Sequence, residues 1–302
     1  MTYFIRILEY PDELAQVEVL QRLVWPGSET EIVPIHMLLA TVHNGGIVIG
    51  AYHHEQSTTS DELVLDKLVG FVFGFPGQYL TGDGPRLKHH SHMMGIHPDH
   101  RSKGLGYLLK RAQWQMIRRQ GIDRITWTYD PLLSINAQLN IYKLGAVCNT
   151  YHVDYYGVLH DQLNQGLPTD RFQVDWWVNS RRVNTRLSKQ ARPQLNLSQF
   201  MAADANILNP MRFKKGVAAP FSGQMNIPKK KEALLLIEIP YDFQELKIIA
   251  PEIAYKWRIQ SRDLFQLAFQ AGYLITDFVM DKTQSPELIR SFYVLSHGES
   301  TL

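Results

Sequence analysis

The sequence predicts a mixed α/β fold, an α+β mixed sheet with an additional C-terminal α/β lobe, and three observations carry that prediction. Short apolar runs bounded by turn residues alternate with stretches of helical periodicity through residues 3–156. An extended segment at 88–97 leads through Pro98-Asp99-His100 into a segment at 104–120 whose apolar residues recur at helical spacing. A polar stretch rich in Gln, Asn, Arg, Lys and Pro at 161–230 then separates these patterns from a second set of strands and a long helix. The predicted domains are 1–158 and 159–302.

Each element follows from its residues. Residues 3–8 (YFIRIL) are apolar enough for a first strand, and Asp12 and Glu13 open a helix with Leu14, Val17, Leu20, Leu23 and Val24 on one stripe. The apolar runs 37–42 and 47–52, separated by His43-Asn44-Gly45-Gly46, predict a β-hairpin, because Asn-Gly supplies the positive φ of a tight turn. Residues 54–61 are Ser/Thr-rich and predict an exposed loop, 67–75 a strand ended by Pro76-Gly77, and 82–85 another loop. The helix at 104–120, with Leu105, Leu108, Leu109, Ala112 and Met116 on one face, is closed by Gly121. A strand at 124–128, a helix at 134–144 and a strand at 147–156 follow, and beyond the polar stretch come strands at 234–239, 273–280 and 291–295 and a helix at 252–272.

Composition narrows the function classes. In a chain of 302 residues, 45% hydrophobic and 20% charged, one large domain or two modest ones can each bury a core. The 31 Lys and Arg nearly balance the 29 Asp and Glu, so nothing points to nucleic acid as partner. Cys148 is the single cysteine, which excludes an internal disulfide and a cysteine metal cage and fits a reducing compartment. The N-terminal residues lack a signal-peptide pattern and no run of about 18 apolar residues occurs, so no membrane span and a cytoplasmic location are expected.

The segment Arg101-Ser102-Lys103-Gly104-Leu105-Gly106 has a direct chemical use. The first turn of a helix leaves backbone N–H groups unpaired at the positive end of the helix dipole, and glycines let an anion approach them. Between a strand and an amphipathic helix, that makes a cradle for phosphate or pyrophosphate, with Arg101 and Lys103 as cations at its rim. Two glycines that merely start a helix are the plain alternative. No Lys-Ser/Thr pair follows the last glycine, so this is not a Walker A loop. Leu109 stands where a dinucleotide fingerprint needs its third glycine.

The run Met94-Gly95-Ile96-His97-Pro98-Asp99-His100-Arg101-Ser102-Lys103-Gly104-Leu105-Gly106 resembles the signature of GNAT N-acyltransferases, an apolar strand followed by Pro-x-x-Arg-x-x-Gly-x-Gly. The resemblance covers roughly residues 3–158 and implies a GNAT-like fold there that binds acetyl-CoA. By that likeness Met94 and Ile96 offer main-chain contacts to the pantetheine arm, and Ser102, Lys103, Gly104, Leu105 and Gly106 bind the pyrophosphate. A second segment, Asn136-Ala137 followed by Asn140, Tyr142 and Leu144-Gly145-Ala146, is similar to the family's Asn…Tyr…Leu-Gly-Phe helix. It implies Asn136 beside the CoA arm and Tyr142 as proton donor. The Asn-to-Gly spacing is shorter than usual, and Ala146 replaces the common Phe.

Amine acylation needs a neutral nitrogen, a thioester held in line, and groups that take and return a proton. Five of the twelve histidines lie in 88–100. Alternation along a strand places His90 and His92 on the face of Met94 and Ile96. His90 lies near where some GNAT members keep a catalytic carboxylate, and His92 is the second candidate base. Solvated surface histidines are the plain alternative. His-x-His without a third ligand does not make a zinc site, and no metal is expected. Asn136 also reads as a helix cap, Tyr142 as packing, and Cys148 as a buried small hydrophobe. Arg181-Arg182 and Lys229-Lys230-Lys231 read as basic turns or as a hold for an acidic substrate or the CoA 3′-phosphate, and Trp176-Trp177 and Trp257-Arg258 as core or as a pocket lining. The expected acceptor is a small-molecule or peptide amine, and a homo-oligomer is compatible. A CoA-binding protein without turnover is the alternative.

Overall fold

The computed structural model describes residues 3–27, 29–53, 67–157, 166–188, 193–214, 217–223, 225–227, 234–283 and 289–297. The expected loop at 54–61 and the three lysines at 229–231 lie outside them. The chain divides into two compact units within one strand, between Trp127 and Thr128. The boundary expected at 158/159 is thus not where the contacts part: residues 128–157 group with the second unit, because that strand leads straight into helices and strands with partners later in the chain.

The first unit runs β1 (Tyr3–Ile7), α1 (Pro11–Val24), α2 (Ile35–His43), β2 (Ile47–His53), β3 (Lys67–Thr81), β4 (Gly84–Ile96), α3 (Leu105–Arg119) and β5 (Arg124–Tyr129), which crosses into the second unit after Trp127. Its sheet order is β1-β2-β3-β4-β5, antiparallel as far as β4 and then parallel between β4 and β5. One side of this sheet is covered by α1 and α2, whose Leu14, Val17, Leu20 and Leu38 are buried with Val48, Tyr52, Phe71 and Phe73. Each such side chain contributes roughly 1.5–3 kcal/mol on burial.

Three expectations in this unit are corrected. Residues 37–42 lie in helix α2, not in a hairpin strand. Ile35, Leu38, Leu39 and Val42 share a helical stripe on the core. The glycines after it turn the chain from helix to strand: Gly45 has φ +82°, and a Cβ on Gly46 would lie 2.2 Å from Thr41 Cγ2 and 2.7 Å from the Gly74 carbonyl oxygen. Pro76-Gly77 does not end β3, which pairs with β4 as far as Thr81↔Gly84. The β2 pairing stops at Gly74, so Pro76 lies where β3 has become an edge, and edges tolerate proline.

The third correction concerns α3. Its buried residues are Leu105, Gly106, Leu109, Lys110, Gln113 and Ile117, so Lys110 and Gln113 share the buried face with Leu105 and Leu109, while Leu108, Ala112 and Met116, expected on it, are only half-buried.

In the second unit, α4 (Ser134–Ala137) continues as a π-helical turn at Gln138–Lys143, followed by β6 (Val147–His152), β7 (Arg171–Trp177), α5 (Arg181–Leu187), α6 (Leu197–Ala202), β8 (Asn206–Ile207), β9 (Arg212–Lys214), β10 (Val217–Ala219), β11 (Leu234–Ile239), α7 (Phe243–Ile249), α8 (Pro251–Gln270), β12 (Tyr273–Asp281) and β13 (Arg290–His297). The sheet order here is β7-β6-β12-β13-β11-β8, with β9 and β10 paired apart from it. Trp176 and Trp257 are fully buried, which assigns them to the core. Arg258 is also buried and forks onto Asp130 at 2.9 and 2.5 Å. No described helix is long and apolar enough to cross a membrane.

Candidate functional site

The turn before α3 is built by the chain's own polar atoms. His97 Nδ1 accepts from the Asp99 amide at 3.3 Å and opens a single 3₁₀ turn at Pro98–His100. Lys103 Nζ donates to the Asp99 carbonyl at 2.7 Å, and Arg101 Nε donates to the Ile96 carbonyl at 3.3 Å. Ser102 (φ +61°) and Gly104 (φ +81°) both adopt left-handed backbone. A Cβ on Gly104 would meet nothing within 4 Å, so glycine is required there by φ and leaves open space above it.

Helix α3 begins with no side-chain cap. The first amides that find an acceptor are those of Tyr107 and Leu108, both on the Gly104 carbonyl. Those of Ser102, Lys103, Gly104, Leu105 and Gly106 have none among the described residues. Five successive donors at the positive end of a 15-residue helix are the chemistry of an anion cradle. Arg101 and Lys103 lie exposed at its rim.

Sequence reasoning missed what backs this turn. Tyr3 Oη lies 3.1 Å from His100 Nδ1, and the His53, His97 and His100 rings cluster at 5.1–5.8 Å. Burial, and then the Lys103 charge, lowers the pKa of His100. Only the recurrence of histidines in the sequence hinted at this cluster.

Strand β4 meets β5 in two pairs only, His89↔Ile125 and His90↔Thr126. Beyond them β4 continues through Met94 to Ile96 with β3 as its partner on one edge; the other edge has no ladder among the described residues. Apart from the Ile96 carbonyl, which accepts from Arg101, main-chain groups on that edge are open to pair with an extended ligand, as at any unpaired strand edge.

The expected common face of His90, His92, Met94 and Ile96 is corrected by a bulge. β3 pairs Phe73 with Met93 but Gly74 with Ser91, so His92 is an extra residue and alternation reverses across it. His90 thereby faces as Phe75, Phe73 and Met93 do, toward α1 and α2, whereas Met94 and Ile96 face as Ser91 and His89 do, toward α3. The His90 and His92 rings lie 5.9 Å apart against Phe75, with His92 also at 5.5 Å from Phe73. Burial lowers the pKa of His90 to about 4, with the neighbouring His92 adding to the effect, and burial also lowers that of His92. Both imidazoles are therefore neutral near pH 7. His92 is the more accessible of the two, with one side of its ring desolvated by Phe73 and Phe75.

A second buried polar group lies on the α3 side of β4. Lys110 Nζ donates to Ser91 Oγ at 2.7 Å and to Gln113 Oε1 at 3.2 Å, and lies 3.8 Å from the centroid of the Trp127 ring. Gln113 Nε2 lies 3.2 Å from His89 Nε2. All five residues are buried. Desolvation lowers the pKa of Lys110 to about 7 and that of His89 to about 3, the latter with help from the Lys110 charge.

Asn136 and Tyr142 belong to the second unit, on the helix that passes from α4 into its π-helical turn. Asn136 is half-buried and does not cap the helix, whose N-cap is Leu133. Tyr142 is half-buried under the Arg186 guanidinium, 4.9 Å from its ring centroid. Arg182 is committed to the backbone, donating to the Gly145 carbonyl at 2.9 Å and to that of Thr276. Cys148 is fully buried, its thiol pKa pushed up by desolvation. Among the described residues no group of three or more His, Cys, Asp or Glu could hold a metal ion.

No family model and no curated protein matches the chain. It is similar to solved structures of acetyltransferases. These include the GNAT-family acetyltransferase of Streptococcus pneumoniae (16% identity, TM-score 0.42, 58% of this chain and 98% of that chain). NAA60 of Arabidopsis thaliana, solved with acetyl-CoA, is 14% identical with a TM-score of 0.46, covering 59% of this chain and 100% of that one. The putative acetyltransferase yncA of Salmonella typhimurium, solved with its cofactor acetyl-CoA, is 17% identical with a TM-score of 0.43, covering 60% and 96%.

Proposed function

We propose that this chain is an acyl-CoA-dependent N-acyltransferase that passes an acyl group, by default acetyl, directly to an amine. The observation that supports it most is the run of five acceptor-free amides at residues 102–106, opening α3 where β4 ends with one edge unpaired. A diphosphate with an extended amide-bearing arm fits that arrangement: the phosphates on the amides of Ser102, Lys103, Gly104, Leu105 and Gly106, with Arg101 at the rim, and the arm along the main chain of Met94 to Ile96. Asn136 is proposed as a further contact to the arm. Bound acyl-CoA supplies an acyl group on a good thiolate leaving group.

The protein's part is to orient and to move protons. His92, neutral and exposed, takes the amine proton, with His90 behind it as a second neutral acceptor. Tyr142 Oη is the proposed proton donor to the departing thiolate. Acetyl, as against longer acyl groups, is the default of the resemblance, and the acceptor class is a small-molecule or peptide amine. Along the sequence, residues 1–158, which take in the first unit and the opening segment of the second, are proposed as the acyl-CoA-binding region and 159–302 as a lobe serving the acceptor.

One observation favours a second reading, an acyl-CoA-binding protein without turnover. The bulge at His92 turns the imidazoles to the sheet face opposite Met94 and Ile96. A thiol-release assay with acetyl-CoA and a panel of primary amines separates the two. Amine-dependent CoA release that is lost in the His90→Gln/His92→Gln double variant is expected. Saturable acetyl-CoA binding with no release for any amine would favour the binder.

A further inference from the structure

The ladder between β4 and β5 ends at His90↔Thr126. The next residue on each strand is Ser91 on one side and Trp127 on the other, and a single atom, Lys110 Nζ, contacts both, at 2.7 Å from Ser91 Oγ and 3.8 Å from the Trp127 ring centroid. Its third partner, Gln113 Oε1 at 3.2 Å, comes from the next turn of α3. An ammonium has three N–H donors and no acceptor, and all three partners here are acceptors: a hydroxyl oxygen, an amide oxygen and a π face. Lys110 is 2% exposed and makes no ion pair among the described residues. A buried cation without a carboxylate is costly, and a leucine at that helix position would pack at no such cost.

We infer that Lys110 is a positioning residue, a clasp that fixes the vertex at which β4 and β5 part and so presents the unpaired β4 edge in one geometry. This rests on the acyl-CoA reading for the use of that edge, but not for the clasp itself. The clasp needs the proton, since a neutral amine has one donor fewer and loses the charge that draws it to Trp127. The other titratable groups nearest to it, His89 and His90 on β4, change charge at about 3 and about 4, well below the Lys110 transition near 7. Among the described residues, no titratable side chain of β5 or α3 hydrogen-bonds or ion-pairs with Nζ.

The test compares the full chain with Lys110→Met, and with Trp127→Leu and Ser91→Ala, which each remove one partner should the first variant fold poorly. Amide hydrogen exchange across residues 91–96 is expected to quicken at least tenfold in Lys110→Met while β2 is unchanged. Wild-type tryptophan fluorescence is expected to titrate near pH 7, with that transition absent from Lys110→Met and from Trp127→Leu. Acetyl-CoA affinity is expected to fall about tenfold. Unchanged exchange at 91–96 together with an undiminished fluorescence transition in Lys110→Met would overturn the clasp. If the wild-type protein binds no acetyl-CoA, the acyl-CoA reading fails, and exchange and fluorescence still decide the clasp by the same outcomes.

Discussion

The two units treat buried charge in opposite ways. In the second unit Arg258 is forked onto Asp130, Arg262 onto Asp170 and Arg290 onto Glu238, and Arg186 donates to Asp277 at 2.7 Å, so each guanidinium meets a carboxylate with one or both partners buried. In the first unit, among the described residues, Lys110 is buried with neutral partners only, and five amides at the start of α3 have no acceptor. The difference teaches where to look for function. Closed ionic networks consume their own hydrogen-bonding capacity and specify a fold, whereas open capacity is held for something that arrives.

The largest expected effect breaks a closed pair. Asp130→Ala leaves the Arg258 guanidinium buried without its carboxylate and should cost about 3–5 kcal/mol in urea unfolding. A loss below about 1 kcal/mol would show that solvent reaches the arginine. Burial by itself would raise the Asp130 pKa, but Arg258 outweighs it and holds it below the ordinary value of 3.8. This contribution is therefore present above pH 3.8 and fades as pH falls through the lowered value. The wild-type advantage over Asp130→Ala should shrink only under strongly acid conditions.

The open site answers differently. Gly104→Glu places a side chain and a negative charge at a φ of +81° over the acceptor-free amides and should weaken acetyl-CoA binding at least 100-fold, about 2.7 kcal/mol, while the left-handed backbone costs only about 1–2 kcal/mol of stability. A variant that unfolds instead would mean that the turn is structural. His92→Gln should lower turnover by about 100-fold with acetyl-CoA affinity unchanged, as expected for loss of a general base.

The effect that is smallest per pH unit sharpens the contrast. Lys110 has a folded pKa near 7 against an ordinary 10.5, so between those values the unfolded chain binds the extra proton and stability rises with pH. Relative to Lys110→Met, the wild-type protein should gain up to about 1.4 kcal/mol per pH unit between pH 7 and 10 in paired urea titrations. No change in that difference would place the lysine in contact with solvent.

How much of this was legible depends on the range of the interactions. The turn proposed to bind phosphate is local, since Gly104, Gly106 and Arg101 lie within six residues and belong to one helix start. The mixed α/β class followed from periodicity in the same way. The run at 37–42 misled because a short apolar stretch carries both periods, and α1 packing favoured the helix. The face of His90 was invisible because the bulge is a property of the β3–β4 register and not of β4 alone. Lys110 and Gln113 carry no local mark of burial, since Ser91 and His89 lie 19 and 24 residues away. Arg258 and Asp130, 128 residues apart, carry no local mark at all.

The central claim is tested most directly by calorimetric titration of the purified protein with acetyl-CoA, beside desulfo-CoA and ATP. Saturable binding of both CoA compounds in preference to ATP, abolished in a folded Gly104→Glu variant, is the predicted result. Absence of binding at millimolar acetyl-CoA, or equal affinity in wild type and Gly104→Glu, would contradict the assignment of residues 102–106 as an acyl-CoA cradle.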